Sequence, residues 1–318
     1  MNNFRYEKHF KKNGYKNIVG IDEAGRGPLA GPVVAVSVNW GDNKLIEGIN
    51  DSKKISEKKR EIYFDLIKKN AKDIGIGIVH ENTIDKINIL QATYLAMRIS
   101  INSLKINPDL ILVDGNRADI GSIKQKNIIK GDMLSYSIAC ASIIAKVTRD
   151  KIMKSYAKIF PKYMFDKHKG YGTKNHIELI KMYNATPIHR KSFKPVLNYI
   201  PTFKCFRNDN DIYLLGLQLV AIELIKRKFI IIFFNDICDI SYIKDDEINI
   251  LKVDVVFKGK SINSNISCSN SNLIDNLNEY LVKSKFKNIS SFRFNNCIYD
   301  FSSKNKKITI KKGNLNDL

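Results

Sequence analysis

Apolar residues along the chain fall into short runs separated by polar turns. IVGID at 18–22 stays apolar until it ends in acid, and GPVVAVSV at 31–38 is a second such run; both predict buried strands. Between them, EAGRGPLA is rich in Gly and Pro and predicts a turn. DIGIGIV at 73–79 alternates as a strand does, and LILVDG at 110–115 is another apolar run, ending at Asp114 and Gly115. Three other stretches have helical spacing. Residues 56–69 open with Ser56 as an N-cap and carry Ile62, Leu66 and Lys69 at helical intervals; 87–104 and 137–160 follow, the last with small residues along one side. Strands alternating with helices predict an α/β sheet protein, whose ligands gather near strand ends.

The texture changes after residue 200. PTFKCFRNDND at 201–211 reads as a linker, 212–228 as helical, and Phe229 to Phe234 as a buried strand followed by further strand-like runs to 257. SINSNISCSNSN at 261–272 is a low-complexity loop, and KNKKITIKKGNLNDL reads as a frayed basic end. At 318 residues two domains are expected: one over 1–200 and a smaller α/β domain over 212–318.

Composition narrows the class. Hydrophobic residues make up 44%, enough for a core, and no apolar run reaches the length of a spanning helix. The polar start, MNNFRYEKHFKKNGYKN, has no apolar h-region, which argues against a secretory signal. Five scattered cysteines without a CxxC pair indicate reduced thiols in a cytoplasmic protein, with neither a zinc site nor a disulfide framework. The formal charge is +21, and 121–200 hold 16 basic against 4 acidic residues. That excess suits a polyanion partner. A codon bias towards Lys, Asn and Ile would produce it equally well, so charge alone decides nothing.

The acidic residues are more specific. Asp22 and Glu23 lie between an apolar strand and a Gly-rich turn, where adjacent carboxylates repel unless a cation intervenes. Asp114 ends another strand, and Asp132 follows Gly131 just ahead of the longest helix. The alternative is local: a turn cap at Asp22, an Asx-turn at Asp114 with Gly115, an N-cap at Asp132. The pattern leaves both open.

A resemblance goes further. IVGIDEAGRGPLAGPVVAV (18–36) resembles the ribonuclease HII signature. NDSKKISEKKR (50–60), LVDGN (112–116), KGD (130–132), SIACASIIAKVTRD (137–150), HKGYGT (168–173) and HRKSFKP (189–195) follow in family order. The resemblance implies a ribonuclease H-like mixed sheet flanked by helices. It also implies a site of Asp22, Glu23, Asp114 and Asp132 holding Mg²⁺ or Mn²⁺. The implied reaction is two-metal cleavage of the RNA strand of RNA–DNA hybrids, including 5′ of single ribonucleotides in duplex DNA, leaving 5′-phosphate and 3′-hydroxyl ends. Gly25, Arg26 and Gly27, with Tyr171, would read the junction; without the resemblance, Tyr171 reads as a core aromatic. Lys53 and Lys54 would hold phosphates or form a solvated helix face, and Lys146, Arg149, His189 and Arg190 carry the same ambiguity. His168 and Lys169 would contact phosphate near Tyr171. Departures are small: Cys140 stands where Ala is common, and Asn184 where Gly is usual.

The C-terminal part is similar to a predicted endonuclease family of restriction-enzyme-like fold, through LGLQLVAIELIKRKFIIIFFND (215–236), DDEINILKVDVVFKGK (245–260) and FRFNN (292–296). That family's metal site needs Gly-Glu-Ile-Asp and then Glu-x-Lys. Here Asn249 replaces the acid, and VVFKGK has no carboxylate before its lysine. The expectation is an inactive remnant or an unrelated accessory domain.

Overall fold

A computed structural model describes residues 5–49, 55–115, 118, 120–206, 208–235, 238–262, 291–301 and 308–312. Two compact units result, one formed by 1–153 with 167–200, the other by 154–166 with 201–318.

In the first unit the apolar runs become neighbours. β1 (Ile18–Ala24), β2 (Val33–Asn39), β3 (Asp73–Val79), β4 (Leu110–Asp114) and β5 (Gln125–Ile128) form one sheet in the order β3-β2-β1-β4-β5. β1 runs antiparallel to β2 and parallel to β4, so the sheet is mixed. The helices are α1 (Arg5–Lys12), α2 (Glu57–Asn70), α3 (Glu81–Asn102), the single turn α4 (Gly131–Leu134) and the long α5 (Tyr136–Ile159). Strand alternation splits the core. Val33, Ala35, Val19 and Ile21 face α3, while Val34, Val36 and Val38 pack with Tyr63, Phe64 and Ile67 of α2 and with Ala139, Cys140, Ala141 and Ala145 of α5. This is the mixed α/β sheet flanked by helices that the resemblance implies.

Close approach of α5 to β1 depends on a missing side chain. A Cβ on Gly20 would lie 2.4 Å from the backbone of Ser137 and Ile138. Backbone cannot swing aside, so Gly20→Ala is expected to cost about 1–3 kcal/mol through overpacking. A thermal melt reads this; an unchanged Tm would contradict it.

Several elements differ from expectation. Ser56 does cap α2, accepting from the Lys59 N–H. The buried face of α2 is Tyr63, Phe64 and Ile67, however, whereas Ile62 and Leu66 are 53% and 37% exposed. α1 was not expected; its Glu7 is buried and accepts from both hydroxyls and one N–H of Ser135 and Ser137, capping α5. Residues 81–102 hold two helices across a kink at Asn88, whose φ is 63° and whose side chain caps Leu90 and Gln91.

Further along are the single turn α6 (Phe165–His168), then α7 (Lys174–Tyr183), the single turn α8 (Lys194–Leu197) and α9 (Asp209–Lys226). α9 starts inside the segment read as linker, because Asn208 caps it through the Asp211 N–H. In the second unit β6 (Ile230–Phe234), β7 (Ile240–Lys244), β8 (Glu247–Phe257), β10 (Ser291–Asp300) and β11 (Ile308–Lys312) form a sheet in the order β11-β10-β8-β7-β6, with β9 (Lys260–Ile262) also on β8. β8 and β10 are parallel. The tail read as frayed therefore contains a strand, β11, antiparallel to β10. Most of the Ser/Asn loop at 261–272 lies outside the described residues, as do Lys53 and Lys54. Among the described residues no helix is long and apolar enough to cross a membrane. Cys140, Cys205, Cys238 and Cys297 are free thiols.

Candidate active site

Parallel pairing sets Ile21 beside Val113, so one step further along both strands Asp22 lies beside Asp114. Ile21 and Val113 point into the α3-side core. Alternation therefore sends both carboxylates to the opposite face, beneath α5, where Ser142 hydrogen-bonds Asp22. Asp22 is 7% exposed and also accepts from the Glu23 N–H at 2.8 Å. Burial, then Glu23, then Asp114 push its carboxyl well above the ordinary range, against the hydrogen bonds from Ser142 and the Glu23 N–H.

The N-cap alternative for Asp132 is not what forms, and Asp114 reaches beyond its own turn. Asp114 Oδ1 accepts from the Gly131 N–H at 2.6 Å, and the Gly115 N–H goes to Ile128 O instead. Lys130, at φ 56°, occupies the N-cap of α4, and Asp132 lies buried in its first turn. Gly131 thus ties the Asp132 turn to Asp114, although Asp132 is not among the groups acting on Asp22. Glu23 accepts from Arg26 Nη1 at 3.3 Å.

Do these residues suit a metal? Their donors are hard oxygens, and burial together with the charges of Glu23 and Asp114 disfavours the ionised form of Asp22. A hard divalent cation relieves that repulsion, so the chemistry fits. Among the described residues no three His, Cys, Asp or Glu are already assembled as a metal cage. The fit is thus one of donor chemistry and charge rather than of a finished coordination sphere.

The turn after β1 is held from below. Arg149 is fully buried and donates to Pro32 O, Lys169 O and Ala30 O. Arg190, also buried, donates to Gly31 O, Arg26 O and Gly25 O. Neither is a solvated surface cation, and neither reaches out to phosphate; both sequence readings of these two residues are corrected. Gly25 has φ +100°, and a Cβ there would lie 2.2 Å from Arg149 Nε, so the position demands glycine.

The Tyr171 loop is joined to the same turn by Leu29 N–H to Gly170 O at 2.7 Å. Tyr171 is 43% exposed, which rules out a core role, and its ring lies 5.7 Å from Lys146 Nζ and 5.8 Å from the Arg149 guanidinium carbon. Lys169 is buried with its Nζ 3.9 Å from Glu57 Oε1, and His168 stacks on His176 at 4.1 Å. Lys146 pairs with Asp150 at 2.9 Å.

Two further imidazoles support the loop. His189 Nδ1 accepts from the Thr186 N–H, which leaves the proton on Nε2 to donate to His176 Nε2 at 3.1 Å. His176 Nδ1–H then donates to Tyr171 O at 2.9 Å. Only neutral rings satisfy this chain. Burial, and then the neighbouring histidines, lower His176 to about 4 and His189 to about 3. The unfolded chain takes up these protons near pH 6.5 while the fold refuses them, so stability falls as pH drops from about 6.5 towards 4. His189→Asn is expected to flatten the melting-temperature profile between pH 6.5 and 5; an unchanged slope would count against the relay.

A family model for ribonuclease HII matches residues 19–196. The ribonuclease HII of Endomicrobium trichonymphae is 52% identical over 204 residues, 64% of this chain and 97% of that protein. The chain belongs to the ribonuclease HII family. The ribonuclease HII of Clostridioides difficile is 56% identical over 188 residues, 59% of this chain and 74% of its own. Among solved structures, ribonuclease H2 from Pyrococcus horikoshii is 24% identical, with a TM-score of 0.48, and the match covers 57% of this chain and 96% of that one. As a ribonuclease HII the chain is an endoribonuclease of the ribonuclease H class, a family that acts on RNA–DNA substrates and uses divalent metals.

Residues 201–318 of the second unit lie beyond the matched range, whereas its residues 154–166 lie within it. Its Asn249 is buried and accepts from Asn295 Nδ2 at 3.2 Å. Lys260, the second lysine of VVFKGK, pairs with Asp209 at 2.8 Å, and the buried Asp239 accepts from the Val253 N–H.

Proposed function

We propose that the ribonuclease HII domain cuts the RNA strand of RNA–DNA hybrids, including on the 5′ side of a single ribonucleotide in duplex DNA. Asp22, Glu23, Asp114 and Asp132 would hold Mg²⁺ or Mn²⁺. The observation that carries this reading is the crowding at Asp22, whose carboxyl burial, then Glu23, then Asp114 push well above its ordinary range, a penalty that a cation would relieve. Glu23, which now pairs with Arg26, would have to leave that pair to hold a cation. The chemistry such ions supply is a lowered pKa for the attacking water and neutralisation of the departing 3′ oxygen.

The chain's own groups do the positioning. Ser142 and the Glu23 N–H orient the Asp22 carboxylate, and the Gly131 N–H orients that of Asp114. Water adds to phosphorus as the bond to the 3′ oxygen breaks, leaving a 5′-phosphate and a 3′-hydroxyl. The open Gly25-Arg26-Gly27 turn lets a sugar approach the backbone, and the exposed Tyr171 ring offers a face to the neighbouring deoxyribose. Lys53 and Lys54, and His168 with Lys169, are the basic residues proposed nearest the substrate.

The second unit reads as an accessory domain without nuclease chemistry of its own, since a neutral amide pair stands where an acid would be needed. The cysteine usage supports a cytoplasmic setting.

The test is a labelled duplex carrying one ribonucleotide, incubated with Mg²⁺ or Mn²⁺ and resolved on a gel. Cleavage 5′ of the ribonucleotide is expected. Equal cutting of an all-DNA duplex would overturn the substrate assignment.

A further inference from the structure

The guanidinium of Arg190 grips three carbonyls of one turn: Nε on Gly31 O at 3.0 Å, Nη1 on Arg26 O at 2.9 Å and Nη2 on Gly25 O at 2.5 Å. Among the described residues no carboxylate forms an ion pair with it, although Glu81 and Asp85 act on it from α3. Burying a cation is costly, and here the compensation comes from the carbonyls of a turn next to the candidate active site. Such an expenditure calls for an account.

Peptide planarity supplies one. In a trans peptide the C=O and the following N–H point in opposite directions. Gly25 O turned towards Arg190 sends the Arg26 N–H the other way, and Arg26 O does the same to the Gly27 N–H. Arg26 and Gly27 are both exposed. Among the described residues neither N–H has an acceptor, and a Cβ built on Gly27 would meet nothing within 4 Å. Two adjacent amide donors, without acceptors among the described residues, are therefore turned away from one buried side chain that aligns them. Donors set in advance lose little on binding and are most useful where an oxygen must be placed closely.

We infer that Arg190 is a positioning residue for substrate selection, which presents the amides of Arg26 and Gly27 as a paired donor to the 2′-oxygen of the ribose at the cleavage position. This rests on the hybrid-cleaving reading above. The fork matters as much as the charge, because lysine offers a point charge and cannot hold three carbonyls in one plane. Arg149 plays the companion part on the far side of the turn, tying Ala30 and Pro32 to Lys169 near Tyr171.

The experiment compares the full-length wild type with Arg190→Lys and Arg190→Met. Cleavage is measured on duplexes bearing one ribonucleotide or one 2′-fluoro nucleotide at the same position, and Mn²⁺ binding is measured in parallel by calorimetry. The ribose-to-fluoro ratio of kcat/KM is expected to fall about 100-fold in both variants, the scale of a small misplacement at a reacting group, with the Mn²⁺ Kd unchanged within about two-fold. Loss of metal binding together with activity would indicate general collapse and overturn the assignment, as would an unchanged ratio in a folded Arg190→Lys. If the Met variant does not fold, the Lys variant alone decides. Amide hydrogen exchange on the wild type adds a measurement that needs no variant. In EDTA, the Arg26 and Gly27 amides should exchange fast alone and slow down with the one-ribonucleotide duplex; slow exchange without duplex would overturn the inference. A wild type that cleaves no ribonucleotide duplex sinks the hybrid-nuclease reading itself. A wild type that selects ribose while both variants select it equally sinks only the role of Arg190.

Discussion

Asp22→Asn is expected to reduce cleavage by at least about 1,000-fold, as removal of a central catalytic group does, while raising the melting temperature of the metal-free protein. The two effects share a cause. Burial and the charges of Glu23 and Asp114 raise the folded-state pKa of Asp22 above its unfolded value. As pH climbs through the ordinary carboxylate range, the unfolded chain ionises first, so the fold loses stability until the raised pKa is passed. By neutral pH that penalty has accumulated. Asparagine removes it, keeps an oxygen for the Ser142 hydroxyl, and removes a charge that a cation requires. Scanning calorimetry in EDTA and then in Mn²⁺ separates the contributions. Wild type should gain stability on adding Mn²⁺, and Asp22→Asn should gain little. A variant that melts lower than wild type in EDTA would mean that Asp22 is a structural residue held by its hydrogen bonds.

Tyr171→Ala is expected to lower the preference for a ribonucleotide–deoxyribonucleotide junction over a uniform hybrid by about 10- to 100-fold, the range of an aromatic contact worth roughly 1–3 kcal/mol. The ring is exposed and the loop beneath it is held independently by the His189–His176 relay and by Gly170. Removing the ring should therefore leave the loop, the fold and the binding of uniform hybrid almost unchanged. Competition between the two duplexes in one reaction measures the preference directly. An equal loss on both would assign Tyr171 to general binding, and no loss on either would remove it from the site.

How far the sequence could be read depended on how each residue's burial is encoded. The strands at 18–24, 33–39 and 110–114 were legible because their apolar runs are buried, and 73–79 because its isoleucines alternate with other residues, as its burial does. β5 was not, since in QKNI only Ile128 is buried. α1 was hidden for a similar reason: its one buried residue is the charged Glu7. β11 reads ITIKK, and its lysines disguised a strand as a basic tail. In α2 the apolar residues Ile62, Tyr63, Phe64, Leu66 and Ile67 wrap most of the helix, so periodicity alone could not choose the face, and packing against β2 and α5 chose Tyr63, Phe64 and Ile67. At the site, strand ends made Asp22 and Asp114 conspicuous. The buried arginines and histidines were opaque. Arg149 and Arg190 satisfy their donors with carbonyls scattered over residues 25–32 and at 169, and His176 finds its partners at 171 and 189. Partners of that kind leave no spacing signature, and a basic residue with no visible partner reads as surface.

Diffraction from crystals of the full chain grown with Mn²⁺, recorded at the manganese absorption edge, addresses the metal site most directly. Anomalous peaks bounded by Asp22, Glu23, Asp114 and Asp132, and missing in Asp22→Asn, are the predicted result. Manganese bound elsewhere, or peaks that persist in the variant, would contradict it.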